Sequence, residues 1–293
     1  MLFSACTQAN CYGVVTAGGG AHYWHQVVKG AQAAADELDM TIVTRGIADE
    51  RNDKAQVLIM KSIRQQGCSG FLLAPSSDAL LDLVAEFDAI GIPTVFIDRD
   101  IGGERRAVLK TNNHHAGKLV AMKIAQLTPP QATIGVLRTH ELDKAVTARV
   151  DGFVGTAETM DLDIVFNELV GTKVGESRSK ITELLQQHPD IDAIFSPNEN
   201  TTVATIASLD AIGNEQRPVH IGFDSNKYIV DSMANGKLAG FMVQDPYLMG
   251  YQATKALHRI RLEKPISETT DIPAIFINRD NYQHPEVSSK LVN

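Results

Sequence analysis

The run Pro93-Thr94-Val95-Phe96-Ile97 is apolar on both faces of its pleat, and that restricts its surroundings severely. A strand with no polar face needs cover on both sides, which it finds inside a parallel sheet flanked by helices. The rest of the chain repeats the theme. Strands are predicted over Tyr12–Thr16, Thr41–Thr44, Phe71–Ala74 and Val108–Lys110, with helices over His22–Leu38, Asp53–Gln66, Asp78–Ile90 and His114–Leu127 between or after them. Pro129-Pro130 closes the last of these helices. A second round follows: strands Thr133–Leu137, Ile164–Leu169, Ala193–Ser196, Val219–Phe223 and Ala239–Val243, with helices Lys144–Met160, Glu176–Gln187, Thr202–Ile212 and Ile229–Ala234. Pro246–Leu262 reads as a further helix, and Ile272–Ile277 as a last strand that by length could pair with either sheet. Repeated strand-helix-strand units of this length imply parallel sheets with right-handed crossovers and helices on both faces. At 293 residues the chain exceeds what one core organises, so two copies of one α/β architecture are expected.

In such a sheet, ligands bind beyond the carboxyl ends of the strands. Asp98 and Arg99 stand there, offering a carboxylate that accepts hydroxyl hydrogens beside a guanidinium that donates a planar fork. An ordinary surface pair is the alternative. After the first strand, the loop Ala17–Ala21 (AGGGA) lacks both the dinucleotide glycine pattern and the Lys-Ser/Thr of a phosphate loop. It delivers His22, Tyr23 and the chain's single tryptophan, Trp24, to a helix start. Rings in that position suit stacking on the apolar face of a sugar, with the hydroxyls left for polar partners. The competing reading puts Trp24 in the core and Tyr23 on the surface.

Composition removes several function classes. A formal charge of -8 with no Lys/Arg-rich run argues against nucleic acid or an anionic membrane surface as partner. No stretch approaches the ~20 apolar residues of a bilayer span. No nucleophile motif, metal-ligand cluster or cofactor fingerprint is present, so no catalytic residue, cofactor or metal is expected. The three cysteines, Cys6, Cys11 and Cys68, show no CxxC spacing. Leu2–Cys6 (LFSAC) resembles the end of a bacterial lipoprotein signal, which would make residues 1–9 a signal remnant and Cys6 a lipid anchor in the periplasm. Thr7-Gln8-Ala9 could equally end an ordinary export signal, and a chance cluster of small residues is the third reading.

Taken in order, the motifs KGAQAAADEL (29–38), IPTVFIDRD (92–100), ARVDGF (148–153), LLQQHPDIDAIFSPNE (184–199), IGFD (221–224) and GKLAGFMVQDP (236–246) resemble the periplasmic sugar-binding proteins of the ribose-binding type. The resemblance runs from about Tyr12 to Ile277. It implies a type I periplasmic binding fold, in which two similar doubly wound parallel-sheet domains are joined by a three-segment hinge. The first would hold residues 10–110 and 246–271, the second 111–245 and 272–293. Matching the motifs places ligand contacts at Tyr23, Trp24, Asp98 and Arg99 in the first domain, and at Arg149, Asn198, Asp224 and Gln244 in the second. The implied function is capture of a sugar or polyol between closing domains and delivery to an ABC permease in the inner membrane, by a monomer. Three positions depart from the ribose pattern: Ala21 and Ala74 stand where asparagines are expected, and Thr172 where a third aromatic is. Ribose itself is therefore doubtful, and His22, Arg45, Ser76 and Ser77 are the side chains at hand to replace the lost polarity.

Two other outputs are known for such a core. A repressor of the lactose-repressor type shares the core but carries a DNA-binding segment of roughly 60 residues in front, for which a first strand at residue 12 leaves no room. A receptor reporting to a sensor kinase or chemoreceptor would have the same sequence features. Finally, in the doubly wound order 2-1-3-4-5 the first and third strands are parallel neighbours, ~4.8 Å apart. Cys11 precedes one and Cys68 the other, so a disulfide is expected there, against the alternative of two thiols turned apart.

Overall fold

The computed structural model describes residues 10–19, 21–213, 217–288 and 290–291. Cys6 and the proposed signal remnant lie outside the described residues. The chain divides into two compact units, one made of the chain up to Lys110 with Pro246–Ile272, the other of Thr111–Asp245 with the chain from Pro273 onward. The backbone thus passes from one unit to the other three times.

The first unit begins β1 (Cys11–Thr16), α1 (His22–Asp36), β2 (Thr41–Gly46), α2 (Asp53–Gln65) and β3 (Phe71–Leu73). A 3-10 turn (Asp78–Leu80) then runs into α3 (Leu81–Ala89), followed by β4 (Thr94–Ile97) and β5 (Ala107–Thr111). The second unit holds α4 (Asn113–Leu127), β6 (Thr133–Arg138), α5 (Lys144–Thr159), β7 (Asp163–Leu169), α6 (Val174–Gln187), β8 (Ala193–Phe195), α7 (Glu199–Ile212), β9 (Val219–Phe223), α8 (Lys227–Ala234) and β10 (Gly240–Val243). The chain returns through α9 (Pro246–Arg261) and β11 (Thr269–Ile272), and ends with β12 (Ile275–Ile277) and α10 (Pro285–Ser288). Strand order is β11-β5-β4-β3-β1-β2 in one sheet and β12-β10-β9-β8-β6-β7 in the other. The expected pair of doubly wound parallel sheets is therefore what the chain forms. β12 runs antiparallel to β10.

One expectation needs correction. Ile272–Ile277 is not a single strand: β11 ends at Ile272 in the first sheet and β12 starts at Ile275 in the second. Pro273, between them, has no N–H to give a ladder and breaks the run. Several helices also start earlier than apolar periodicity suggests. Asn112, Asn198 and Asn226 each accept a backbone N–H from the first turn, so α4, α7 and α8 begin at Asn113, Glu199 and Lys227.

Burial explains why β4 is apolar on both sides. Val95 and Ile97 join Val14 and Leu72 against Val27 and Ala31 of α1 and Met249 and Ala253 of α9. Phe96, pointing the other way, joins Val15, Phe71 and Leu73 against Met60 and Ile63 of α2 and Val84 and Phe87 of α3. Each such side chain contributes about 1.5–3 kcal/mol by leaving water. Close helix pairs complete each unit. A Cβ on Gly30 of α1 would collide with the carbonyl oxygen of Tyr247, and one on Gly250 of α9 with that of Val27. The second unit repeats the device, with Gly117 of α4 against the carbonyl of Arg149 and Gly152 of α5 against that of His114. The same use of glycine in both units is what two copies of one architecture require.

Cys11 and Cys68 form the expected disulfide, their Cα atoms 4.6 Å apart. β1 and β3 pair in parallel, with Gly13 opposite Phe71. The Ser69 N–H donates to the Cys11 carbonyl at 2.9–3.0 Å spacing typical of the ladder, here 3.0 Å. Among the described residues, no helix is long and apolar enough to cross a membrane.

Candidate functional site

Asp98 and Asp224 occupy equivalent places in the two units, each directly after the strand that carries it, β4 or β9. Both adopt the left-handed backbone conformation, with φ of 67° and 65°. The Asp98 N–H donates to the Leu109 carbonyl of β5 (2.9 Å), and the Asp224 N–H to the Met242 carbonyl of β10 (2.7 Å). An L-residue held there costs roughly 1–2 kcal/mol, least for Asp and Asn, and such strain concentrates at functional sites. Both aspartates lie at the carboxyl ends of their parallel strands.

Around Asp98 the first unit gathers Tyr23, Trp24 and Arg99. The Tyr23 hydroxyl donates to Asp98 Oδ1 at 2.7 Å, and Arg99 Nε lies 3.3 Å from Asp98 Oδ2. The Tyr23 and Trp24 rings meet edge to face with centroids 5.0 Å apart, and the Arg99 guanidinium carbon lies 6.0 Å from the Trp24 centroid. The AGGGA loop makes this packing possible, because a Cβ at Gly18 would fall 2.8 Å from the indole nitrogen. Both rings are buried in the core cluster: Trp24 lies in the core, as the competing reading has it, whereas Tyr23 is not that reading's surface residue, and its polar end is spent on Asp98. A residue not singled out in the sequence completes the group: Glu50 Oε2 accepts from Arg99 Nη2 at 2.6 Å. Its signal was position alone, since it follows β2 on the same edge of the sheet.

The second unit gathers its four expected residues around the start of α7. Asn198 caps that helix, its Oδ1 accepting the Thr201 N–H at 3.0 Å while Thr201 Oγ1 accepts the Asn198 N–H at 3.2 Å. Asp224 Oδ2 accepts the Glu199 N–H at 3.1 Å, placing a carboxylate at the positive end of the helix dipole. Asp224 Oδ1 accepts from Gln244 Nε2 at 2.7 Å. Arg149 donates from Nη1 to the Pro197 carbonyl (2.8 Å) and from Nε to Asn113 Oδ1 (2.7 Å), with its guanidinium 3.9 Å over the Phe223 ring. Asn113 and Thr111, whose hydroxyl donates to Gln244 Oε1 at 2.6 Å, are further members missed in the sequence. Thr111 ends β5 and Asn113 opens α4, and only tertiary contact ties them to the group.

The side chains suggested as replacements for lost polarity are otherwise engaged. Ser76 donates from both N and Oγ to Gln56 Oε1, and Ser77 caps the 3-10 turn and donates to Asp53. Arg45 is exposed and bonds the Thr44 carbonyl beside it. His22 pairs with Gln26 one turn along α1. Thr172, at the position of the missing aromatic, is buried, and its carbonyl accepts from Asn200 of α7 at 2.7 Å.

Chemically, each group combines ionised acceptors with guanidinium donors and ring faces, a set that suits a polyhydroxylated ligand and contains no nucleophile-base pair. Residues 12–264 match the family model described as a periplasmic binding protein domain. The ribose import binding protein of Bacillus subtilis (strain 168) is 28% identical over 248 residues, 84% of this chain and 79% of the relative. An ABC transporter solute-binding protein from Agrobacterium vitis, solved with bound D-fucose, has a TM-score of 0.92 at 26% identity, covering 96% of this chain and 100% of the other. The periplasmic component of an ABC-type sugar transport system from Hahella chejuensis has a TM-score of 0.88 at 29% identity, covering 92% and 99%.

Proposed function

The chain belongs to the periplasmic-binding-protein-domain family, and on that premise we propose that it captures a neutral sugar or polyol and hands it to an ABC importer. Family members bind solutes rather than transform them, and membership carries a periplasmic location. The observation that carries the reading is the repeated aspartate: Asp98 and Asp224, each left-handed, each past a strand end and each tied to donors that hold its carboxylate. In this reading Tyr23, Trp24, Asp98, Arg99, Arg149, Asn198, Asp224 and Gln244 contact one ligand. The carboxylates accept its hydroxyl hydrogens, the guanidiniums and amides donate to its oxygens, and Trp24 flanks its apolar face.

Capture proceeds by hinge bending at the three passages of the chain, as in other two-domain receptors, and closure tells the importer that the receptor is loaded. Cys6 serves as the lipid anchor. Because Ala21, Ala74 and Thr172 replace two amides and a ring, ribose binds weakly or not at all, and a larger or less amide-dependent sugar is preferred. The test is a thermal-shift screen over pentoses, hexoses, polyols and amino acids. A ligand at 100 times its dissociation constant stabilises by about 2.7 kcal/mol, a readily measured shift. A shift with a hexose or pentose other than ribose supports the proposal, whereas a response to amino acids alone overturns it.

A further inference from the structure

We infer that Thr111 is a positioning residue whose hydroxyl fixes which way the Gln244 carboxamide faces, and through it the donors and acceptors that Gln244 and Asp224 present. The inference rests on the reading of Gln244 and Asp224 as ligand contacts. Three buried groups form a line: Thr111 Oγ1 to Gln244 Oε1 at 2.6 Å, then Gln244 Nε2 to Asp224 Oδ1 at 2.7 Å. Its polarity follows from chemistry. A carboxylate only accepts, so the amide must turn its NH2 toward Asp224, and its carbonyl oxygen must then face Thr111, which has to donate. A reversed carboxamide would set its oxygen against the carboxylate, two acceptors facing each other.

Asp224 is pinned at its other oxygen by the Glu199 N–H of α7, so it cannot swing to rescue a misplaced amide. Thr111 is the first residue of the second unit, and Gln244 stands one residue before Asp245, another of that unit's three boundaries. A single hydroxyl therefore joins two of the three connecting segments to the proposed site. Removing it leaves the Gln244 carbonyl buried without its donor, a loss felt by the amide direction before it is felt by the fold.

The experiment compares Thr111→Val, which keeps the branched shape, with Thr111→Ser, which keeps the hydroxyl. Without ligand, the Gln244 side-chain NH2 resonances, assigned by their loss in Gln244→Glu, should be well dispersed in wild type and in Thr111→Ser but shifted toward free-amide positions in Thr111→Val. With the tightest wild-type binder among D-fucose, D-arabinose, D-apiose and D-ribose, Thr111→Val should weaken binding on the order of tenfold and Thr111→Ser should restore it. Unchanged Gln244 resonances in Thr111→Val, or equal affinity in both variants, would overturn the inference. If no sugar or polyol of the thermal-shift screen binds wild type, the proposed ligand class fails, while the amide resonances still decide the role of Thr111.

Discussion

Replacing both Cys11 and Cys68 by alanine removes the bond between the amino ends of β1 and β3. The sequence separation is 57 residues, and freeing a loop of that length returns about 4 kcal/mol of chain entropy to the unfolded state. Both cysteines are buried in the cluster with Ile63, Phe71 and Phe87, so lost packing acts in the same direction. For a unit of this size the melting temperature should fall by roughly 10 to 15 °C. Scanning calorimetry is the assay, run on the double variant and on wild type reduced under mild denaturation and then exchanged back. The transition belonging to the first unit should move while a transition belonging to the second unit stays in place. The bond lies at the amino ends of the strands and the Asp98 group at their carboxyl ends, so ligand affinity well below the transition should not change. A shift below about 3 °C would refute the loop-entropy reasoning.

Two further outcomes concern the second unit. His220, buried in β9 with Nε2 2.8 Å from Ser196 Oγ, is pushed down to about 3, first by burial and then by the nearby Arg217 charge. The unfolded chain therefore takes up this proton below about pH 6.5 while the folded one does not, so stability present at pH 7 declines as pH falls toward about 3. Between pH 7 and 5 this group should remove about 2 kcal/mol, and urea unfolding of His220→Gln should show a correspondingly flatter pH slope. Gly117→Ala would drive a Cβ into the Arg149 carbonyl and force α4 and α5 apart. A loss of about 1–3 kcal/mol in the same urea assay is expected, with weakened ligand binding because Arg149 moves with α5; wild-type stability would show that the helix pair has room to yield.

What the sequence made legible was whatever depends on local pattern. The doubly apolar β4 announced a covered parallel sheet, and each strand end named a place where a site residue could stand. The Cys11–Cys68 pair followed from strand order and needed only the side-chain directions that the structure supplies. Helix starts were read late at Asn113, Glu199 and Lys227 because apolar periodicity begins inside the first turn, although Asn112, Asn198 and Asn226 were visible as caps. Pro273 was the unread signal that the last strand divides. Glu50, Thr111 and Asn113 were not legible, since each matters through a long-range partner: Arg99, Gln244 and Arg149. Nothing in their neighbours along the chain distinguishes them from other polar residues at strand ends.

If the Asp98 and Asp224 groups serve one bound sugar, as proposed, isothermal titration of three proteins shows it. Wild type, Asp98→Ala and Asp224→Ala are titrated with the sugar that gives the largest thermal shift, after circular dichroism has established that all three are folded. Wild type should bind one sugar per chain, and each variant should lose about 2 to 5 kcal/mol, at least thirtyfold in affinity, because each truncation strips a buried polar network of its charged acceptor. Wild-type affinity in either folded variant would contradict the claim.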